Sequence, residues 1–124
     1  MVNILTIAAL AHGSPRLTWS NALANEAQAY VNKCTDVHEG WEHHHHGDCL
    51  ASGTPPFLTG PAHVVERFAE EQNWYDYQTG KSKRPDKPIG HFAEIVWSGN
   101  KEVGCGVKYD CHNHKFPVQH VCRY

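Results

Sequence analysis

The chain has 124 residues, enough for one domain with a single hydrophobic core. Hydrophobic residues make up 40% and charged residues 19%, and the formal net charge is −2. This composition is typical of a globular domain, and without a dense basic cluster we expect no nucleic-acid partner. No stretch of the sequence is long enough to span a membrane.

The five cysteines are an odd number, and none of them forms a C-x-x-C pair, which argues against a zinc ribbon or a thioredoxin-type redox site. They cluster toward the C-terminus, which favours disulfides, an oxidising compartment and one thiol left over. The apolar run at residues 4–11 lacks a basic start and is short for a signal peptide, so we assign it to a first helix. An export signal is therefore not evident.

The first periodic segment, residues 21–34, is predicted to be an amphipathic helix with Ser20 as its N-cap. Apolar residues recur there at spacings of three and four: Leu23, Ala27, Tyr30, Val31 and Cys34. Residues 35–59 have no clean period and read as a long irregular connection. Within it, the run from His43 to His46 is interpreted as a solvated tract that captures transition metals opportunistically.

A second helix is predicted to open at Gly60-Pro61, because proline suits the first helical turn. One face of it carries Val64, Phe68, Glu71, Gln72 and Tyr75. A carboxylate on such an apolar face lies either at the rim or beside a cation, metal or histidine, and the pattern leaves both readings of Glu71 open. A second long loop follows at residues 74–88.

Strand signals are found at residues 94–98, 103–109 and 118–123. The last two strands are predicted to form an antiparallel pair with Cys105 and Cys122 close enough to bridge. Helices followed by an antiparallel sheet indicate a layered α+β domain.

The segment Gly90-His91-Phe92-Ala93-Glu94-Ile95-Val96-Trp97 places an imidazole and a carboxylate before a β-preferring run that we expect to be buried. If its first turn is helical, His91 and Glu94 share a face, and if it is extended they point to opposite faces. Either both side chains find partners at a buried strand, or they lie on a solvated edge.

Several separated segments resemble one family. Residues 90–97 resemble its G-H-(F/Y)-x-(Q/E)-(V/I)-V-W box, and residues 47–53 resemble its G-E-N-L-A-x-G segment. Leu17-Thr18-Trp19 with the helix behind it, Val103-Gly104-Cys105-Gly106 and the last four residues also match. The sequence is thus similar to the CAP superfamily (cysteine-rich secretory, antigen 5 and pathogenesis-related class 1 proteins, or SCP domain), in a fungal or plant-like form. We treat residues 1–124 as a single CAP domain, cropped at both ends.

The resemblance implies a three-layer α-β-α sandwich with a central antiparallel sheet. It also implies a cleft that holds zinc or another divalent metal through His38, Asp48, Glu71 and His91, with Glu94 lining the same cleft. The family's disulfide pattern pairs Cys34 with Cys111 and Cys105 with Cys122.

Three departures from the family pattern bear on this cleft. Asp48 stands where the family has glutamate, and its shorter reach weakens direct contact with a metal. The connection after His38 is long, so that His43 to His46 are alternatives to His38 as ligands. Cys49, where the family has asparagine, is the spare thiol, and Phe68 replaces a tryptophan.

The resemblance implies a secreted protein that binds a sterol or fatty acid, contacts membrane lipid and has a defence or antimicrobial role. The aromatic residues Trp74, Tyr75 and Tyr77 either supply the lipid surface or pack around the third helix. The alternative is a zinc-dependent hydrolase or protease with Glu94 or Glu71 as general base. Because the sequence has no H-E-x-x-H motif, we expect binding rather than catalysis.

Overall fold

The computed structural model describes residues 13, 16–39, 47–55, 61–112 and 114–124. The predicted first helix at residues 4–11 and the tract from His43 to His46 lie outside these residues. Within the described residues, no helix combines the length and the apolar character that a bilayer crossing requires.

The described residues form three α-helices and four strands. The helices are α1 (Asn21–Val31), α2 (Pro61–Ala69) and α3 (Gly90–Val96), and a 3-10 helix at Glu70–Trp74 continues α2. The strands are β1 (Thr18–Trp19), β2 (Asp48–Gly53), β3 (Glu102–Lys108) and β4 (Val118–Arg123). They form one sheet in the order β1-β3-β4-β2, antiparallel except that β1 runs parallel to β3.

The sheet is covered by helices on both faces. On one face, α1 packs Ala27, Tyr30 and Val31 against Val121 of β4. On the other face, residues of α2 and α3 pack against all three long strands: Val64, Val65, Phe68 and Ile95 with Cys49, Val103 and Cys122. The predicted α+β class and α-β-α sandwich are confirmed, and the parallel β1 makes the sheet mixed.

Helix α1 lies unusually close to β3 because two glycines leave room for its backbone. A Cβ atom at Gly104 would lie 2.1 Å from the amide nitrogen of Ala24, and one at Gly106 would lie 2.6 Å from Cα of Gln28. The Gln28 side chain donates to the Val107 carbonyl at 3.0 Å and accepts from the Val107 amide at 3.1 Å. The register of helix against sheet is therefore set by backbone contact.

Several predicted elements are correct at their boundaries. Ser20 caps α1, its hydroxyl accepting from the Leu23 amide at 3.2 Å, and the strands at residues 103–109 and 118–123 are confirmed to within one residue. Helix α1 ends at Val31, earlier than predicted, and Cys34 already has a left-handed φ of 54°.

Two predictions from local pattern are wrong. Of the predicted strand at residues 94–98, the first three residues instead end helix α3, which buries Ile95 fully, and Trp97 is the C-cap residue, 64% exposed. The irregular connection at residues 35–59 contains strand β2, which pairs with β4 over six residues. In both places long-range packing overrides the local preference.

Two disulfides are formed, with the pairing that the family resemblance implies. Cys34–Cys111 ties the end of α1 to the turn before β4, and Cys105–Cys122 crosses from β3 to β4. Cys49 is a buried free thiol.

Candidate functional site

The first turn of α3 meets the 3-10 helix in a buried histidine–carboxylate pair. His91 Nδ1 lies 2.6 Å from Glu71 Oε1, and the Phe92 amide donates to Glu71 Oε2 at 2.9 Å. The Phe68 ring stacks on the imidazole with their centroids 4.3 Å apart. Glu71 is only 4% exposed. Of the two positions that the sequence left open for it, the rim or a place beside a partner, the second is therefore correct.

Both nitrogens of His91 are engaged. Nε2 lies 3.0 Å from the Leu50 carbonyl, which only accepts, so Nε2 carries a hydrogen. Nδ1 faces Glu71, either as a donor from an imidazolium to a carboxylate or as an acceptor from a carboxylic acid. A metal ligand needs a free lone pair, and His91 has none in this arrangement.

The second histidine–carboxylate pair joins His38 to the start of β2. His38 Nδ1 lies 2.7 Å from Asp48 Oδ1, and the His38 side chain is 62% exposed. Asp48 is the register partner of Arg123, whose guanidinium pairs with Glu26 of α1. Because opposed residues of an antiparallel pair project from the same face, Asp48 belongs to the α1 side of the sheet.

The four residues that the resemblance assigns to a metal therefore form two pairs on different elements. Within the described part of the chain, no group of three or more His, Cys, Asp or Glu side chains is arranged to hold a metal ion. His38 alone fits a ligand, since its Nε2 is not used by the bond to Asp48. A divalent metal, zinc included, stays a prediction, and the four-residue set does not fit it here.

Glu94 follows His91 by three residues on α3, so the two share a face of the helix, and Glu94 has its own hydrogen-bond partner. The Asn100 amide donates to Glu94 Oε1 at 2.9 Å and to the Glu94 carbonyl at 2.8 Å. A Cβ at Gly47 would lie 2.0 Å from Glu94 Oε1, so the carboxylate fills the space beside that glycine. Glu94 Oε1 is thus engaged by the Asn100 side chain and lies against the backbone at Gly47.

Two buried titratable groups lie beside these carboxylates. Burial raises the pKa of the Cys49 thiol well above its usual value, and the charges of Glu94, Asp48 and Glu71 raise it further. Burial likewise raises the pKa of the Tyr124 hydroxyl, with added effects from Cys49 and Glu94. A neutral, buried Cys49 is not an activated nucleophile.

A groove, which we call the β2 groove, runs between the outer edge of β2 and the helices. It consists of two adjoining hollows of about 340 and 350 Å³ that share Ser52, Arg67 and Glu70. The first hollow reaches His91, Glu71, Trp74 and Lys87, and the second reaches His63, Glu66 and Phe116. Hollows of this size are typical of small-molecule sites.

The aromatic residues of the second loop divide between packing and exposure. The Trp74 indole donates to the Pro88 carbonyl at 2.7 Å, and Lys87 lies over the Trp74 ring. Tyr75 and Tyr77 make edge-to-face contacts with Phe92 of α3, as the packing alternative predicts. Tyr77 is nevertheless 61% exposed.

Sequence reasoning missed three contributors to this region. Arg67 lies beside the apolar stripe of α2 and was indistinguishable from a solvated residue. Asn100 had only a turn signal, and the Leu50 carbonyl has no side-chain signature at all. The Leu50 carbonyl is bonded to His91, 41 residues away in the sequence, and the Asn100 side chain to Glu94, six residues away.

Comparison with known proteins identifies the family to which this chain is similar. The family model described as the cysteine-rich secretory protein family (CAP) matches residues 10–124. Pathogenesis-related protein 1B of Nicotiana tabacum is 33% identical over 116 residues, which are 90% of this chain and 64% of that protein. Cysteine-rich secretory protein 3 of Equus caballus is 28% identical over 126 residues, which are 96% of this chain and 49% of that protein. The chain thus spans between about half and two thirds of the length of these relatives.

Among solved structures, venom allergen-like protein 4 of Schistosoma mansoni superposes with a TM-score of 0.77. The superposition covers 99% of this chain and 83% of that one at 19% sequence identity, a likeness that shows the fold alone.

Proposed function

Since the chain belongs to the cysteine-rich secretory protein (CAP) family, we propose that it is a secreted protein that binds a sterol or other lipid in the β2 groove, with a defence or antimicrobial role. Two disulfides suit an oxidising, extracellular compartment. The observation that carries the proposal is the groove itself, which brings apolar and charged side chains together in two adjoining hollows.

The lining of the groove suits an amphipathic ligand. Phe68, Trp74 and Phe116 offer apolar surface, while the exposed Arg67 lies where the two hollows meet. Arg67 makes no ion pair with the part of the chain that the structure describes, so its guanidinium is available to a ligand's polar group. A fatty-acid carboxylate would form a charge-assisted hydrogen bond there, whereas a sterol hydroxyl would not need the charge.

Titration with a labelled sterol and a labelled fatty acid tests the proposal. We expect saturable binding of one of them, and for a fatty acid Arg67→Ala should weaken it roughly tenfold, the loss of about one hydrogen bond to a charged group. Lys101→Ala, at the opposite edge of the sheet, is the control and should leave binding unchanged. No saturable binding of any lipid class would overturn the proposal.

Membrane-lipid contact is a related part of the proposal. The exposed ring of Tyr77 lies in the loop that also carries Lys81, Lys83, Arg84 and Lys87. Aromatic and basic side chains together favour an anionic lipid surface. Co-sedimentation with phosphatidylserine vesicles should fall when Lys81 and Lys83 are both changed to glutamate, and binding insensitive to this change would argue against the contact.

The hydrolase alternative receives no support from the site. A zinc-bound water needs open imidazole ligands, whereas both nitrogens of His91 are bonded, and Glu94 is held by Asn100. A zinc titration of the wild type and of His38→Ala tests the metal independently of lipid. Equal affinities would remove His38 as a ligand.

A further inference from the structure

Three cysteines lie side by side on three neighbouring strands. In the register of the sheet, Cys122 of β4 is directly opposite Cys49 of β2 on one side and Cys105 of β3 on the other. Opposed residues of antiparallel strands project from the same face, so all three sulfurs lie on the side covered by α2 and α3. Cys49 and Cys122 belong to that core, and Cys105 packs against it.

This row allows the central cysteine two alternative partners. Opposed Cα atoms of antiparallel strands are about 4.5–5.5 Å apart, within the range that a disulfide accepts. Cys49 and Cys105 are separated by two strand spacings, roughly 9.5 Å, which is too far for a disulfide. Cys122 can therefore bond to Cys105, as in this structure, or to Cys49 with little movement of the backbone.

We infer that Cys49, Cys122 and Cys105 form an intramolecular thiol–disulfide exchange site. In alkaline solution, where the buried Cys49 thiol with its raised pKa loses its proton, the thiolate sulfur attacks Sγ of Cys122, a Cys49–Cys122 bond forms, and the Cys122–Cys105 bond breaks. Cys105 leaves as a thiolate and takes up a proton from solvent, which replaces the one that Cys49 released. The number of disulfides is unchanged, so the step needs no oxidant or reductant.

The order of the strands favours this displacement. Cys49 and Cys105 lie on the two strands that flank Cys122, so the attacking sulfur comes from the strand opposite to the one that carries the leaving sulfur. Exchange moves the free thiol from Cys49, which is 2% exposed, to Cys105, which is half-buried. The product thus presents a more accessible thiol for alkylation or for a mixed disulfide with another molecule.

A matched pair of variants tests the geometry. Both Cys105→Ser and Cys122→Ser remove the native cross-strand disulfide, and each is refolded in a glutathione redox buffer before disulfide mapping by mass spectrometry. We expect Cys105→Ser to form Cys49–Cys122 and to have no free thiol. We expect Cys122→Ser to keep two free thiols, at positions 49 and 105.

The wild type provides the second measurement if a variant fails to fold. The native protein is incubated with iodoacetamide in alkaline buffer, in which the Cys49 thiol can ionise, for increasing times, then denatured and mapped. We expect carbamidomethyl label on Cys105 to rise together with the Cys49–Cys122 peptide, and Cys49→Ala to give no label at Cys105. The inference is overturned if the free thiol is always Cys49 in the wild type, or if a folded Cys105→Ser keeps Cys49 and Cys122 reduced.

Discussion

Glu71 joins two elements through its two oxygens. One oxygen lies against the His91 imidazole and the other accepts from the Phe92 amide, so this carboxylate fixes the first turn of α3 on the 3-10 helix. Ile89, at the N-terminal end of α3, makes no side-chain capping hydrogen bond. Glu71 therefore supplies from outside the helix the acceptor that a capping residue would normally supply.

Removal of the Glu71 carboxylate should destabilise the fold strongly, whereas its replacement by an amide of the same shape should destabilise the fold much less. We expect Glu71→Ala to lower the free energy of unfolding by about 2–4 kcal/mol, because it leaves a buried amide and an imidazole without their partner. Glu71→Gln should cost about 1 kcal/mol, since its amide can still accept from Phe92 and donate to His91. Urea denaturation measures both, with the exposed Glu70→Ala as control. Equal losses for the two Glu71 variants would contradict this role.

The buried thiol and phenol predict a loss of stability in alkali. The pKa of Cys49 and that of Tyr124 are raised above their usual values of 9.0 and 10.0, so the unfolded chain releases these protons first as the pH rises. The stability that these two neutral groups add to the folded state is fully present below about pH 9 and is lost as the pH rises further. Urea unfolding between pH 8 and 10.5 should show a decline that is shallower in Cys49→Ala and in Tyr124→Phe. The exposed Tyr109→Phe should retain the wild-type slope, and an unchanged slope in both buried variants would refute the assignment.

At the scale of elements, the close contact between α1 and β3 depends on two glycines of β3, which have no side chain to keep the helix away. Gly104 and Gly106 let the helix backbone approach the strand, and Gln28 then bonds the Val107 backbone as a neighbouring strand would. The helix thus covers the sheet face and also satisfies polar groups of β3.

A methyl group in this contact should separate helix from strand. In Gly106→Ala the new Cβ would lie 2.6 Å from backbone atoms of Gln28, which cannot rotate away. We expect a loss of about 3 kcal/mol or a failure to fold, measured by urea denaturation. Gly90→Ala, where the added Cβ has nothing within 4 Å, should change stability by less than about 0.5 kcal/mol. Similar losses in the two variants would show that close approach is not the cause.

In helix α3, tertiary packing outweighs the local preference of the residues for a strand. Ile95 and Val96 favour a strand, yet the helical turn buries Ile95 between the sheet and α2 and brings His91 to Glu71. The sequence pattern allowed both conformations for residues 90–97, and the packing partners decided between them.

At the scale of the whole molecule, the two disulfides close very different lengths of chain. Cys34–Cys111 spans 77 residues and Cys105–Cys122 spans 17. On loop-closure entropy alone, their removal should cost about 4.5 and about 3 kcal/mol respectively.

Chemical denaturation of two double variants checks this order. Cys34→Ala with Cys111→Ala should be less stable than Cys105→Ala with Cys122→Ala by about 1 kcal/mol or more. Each variant keeps one disulfide and one free thiol, so the comparison isolates the length of the closed chain. The reverse order would mean that local packing outweighs chain entropy.

The sequence by itself determined the layered α+β class, the family, helix α1 with its cap and the two long C-terminal strands. These features depend on hydrophobic period, capping chemistry and short motifs, all of which are local properties of the chain. Tertiary structure alone decided that α3 is a helix, that β2 pairs with β4, and that the candidate ligands separate into His91–Glu71 and His38–Asp48. The physical reason is that these outcomes depend on strand register and on which face of the sheet a side chain meets, and one residue of register reverses that face.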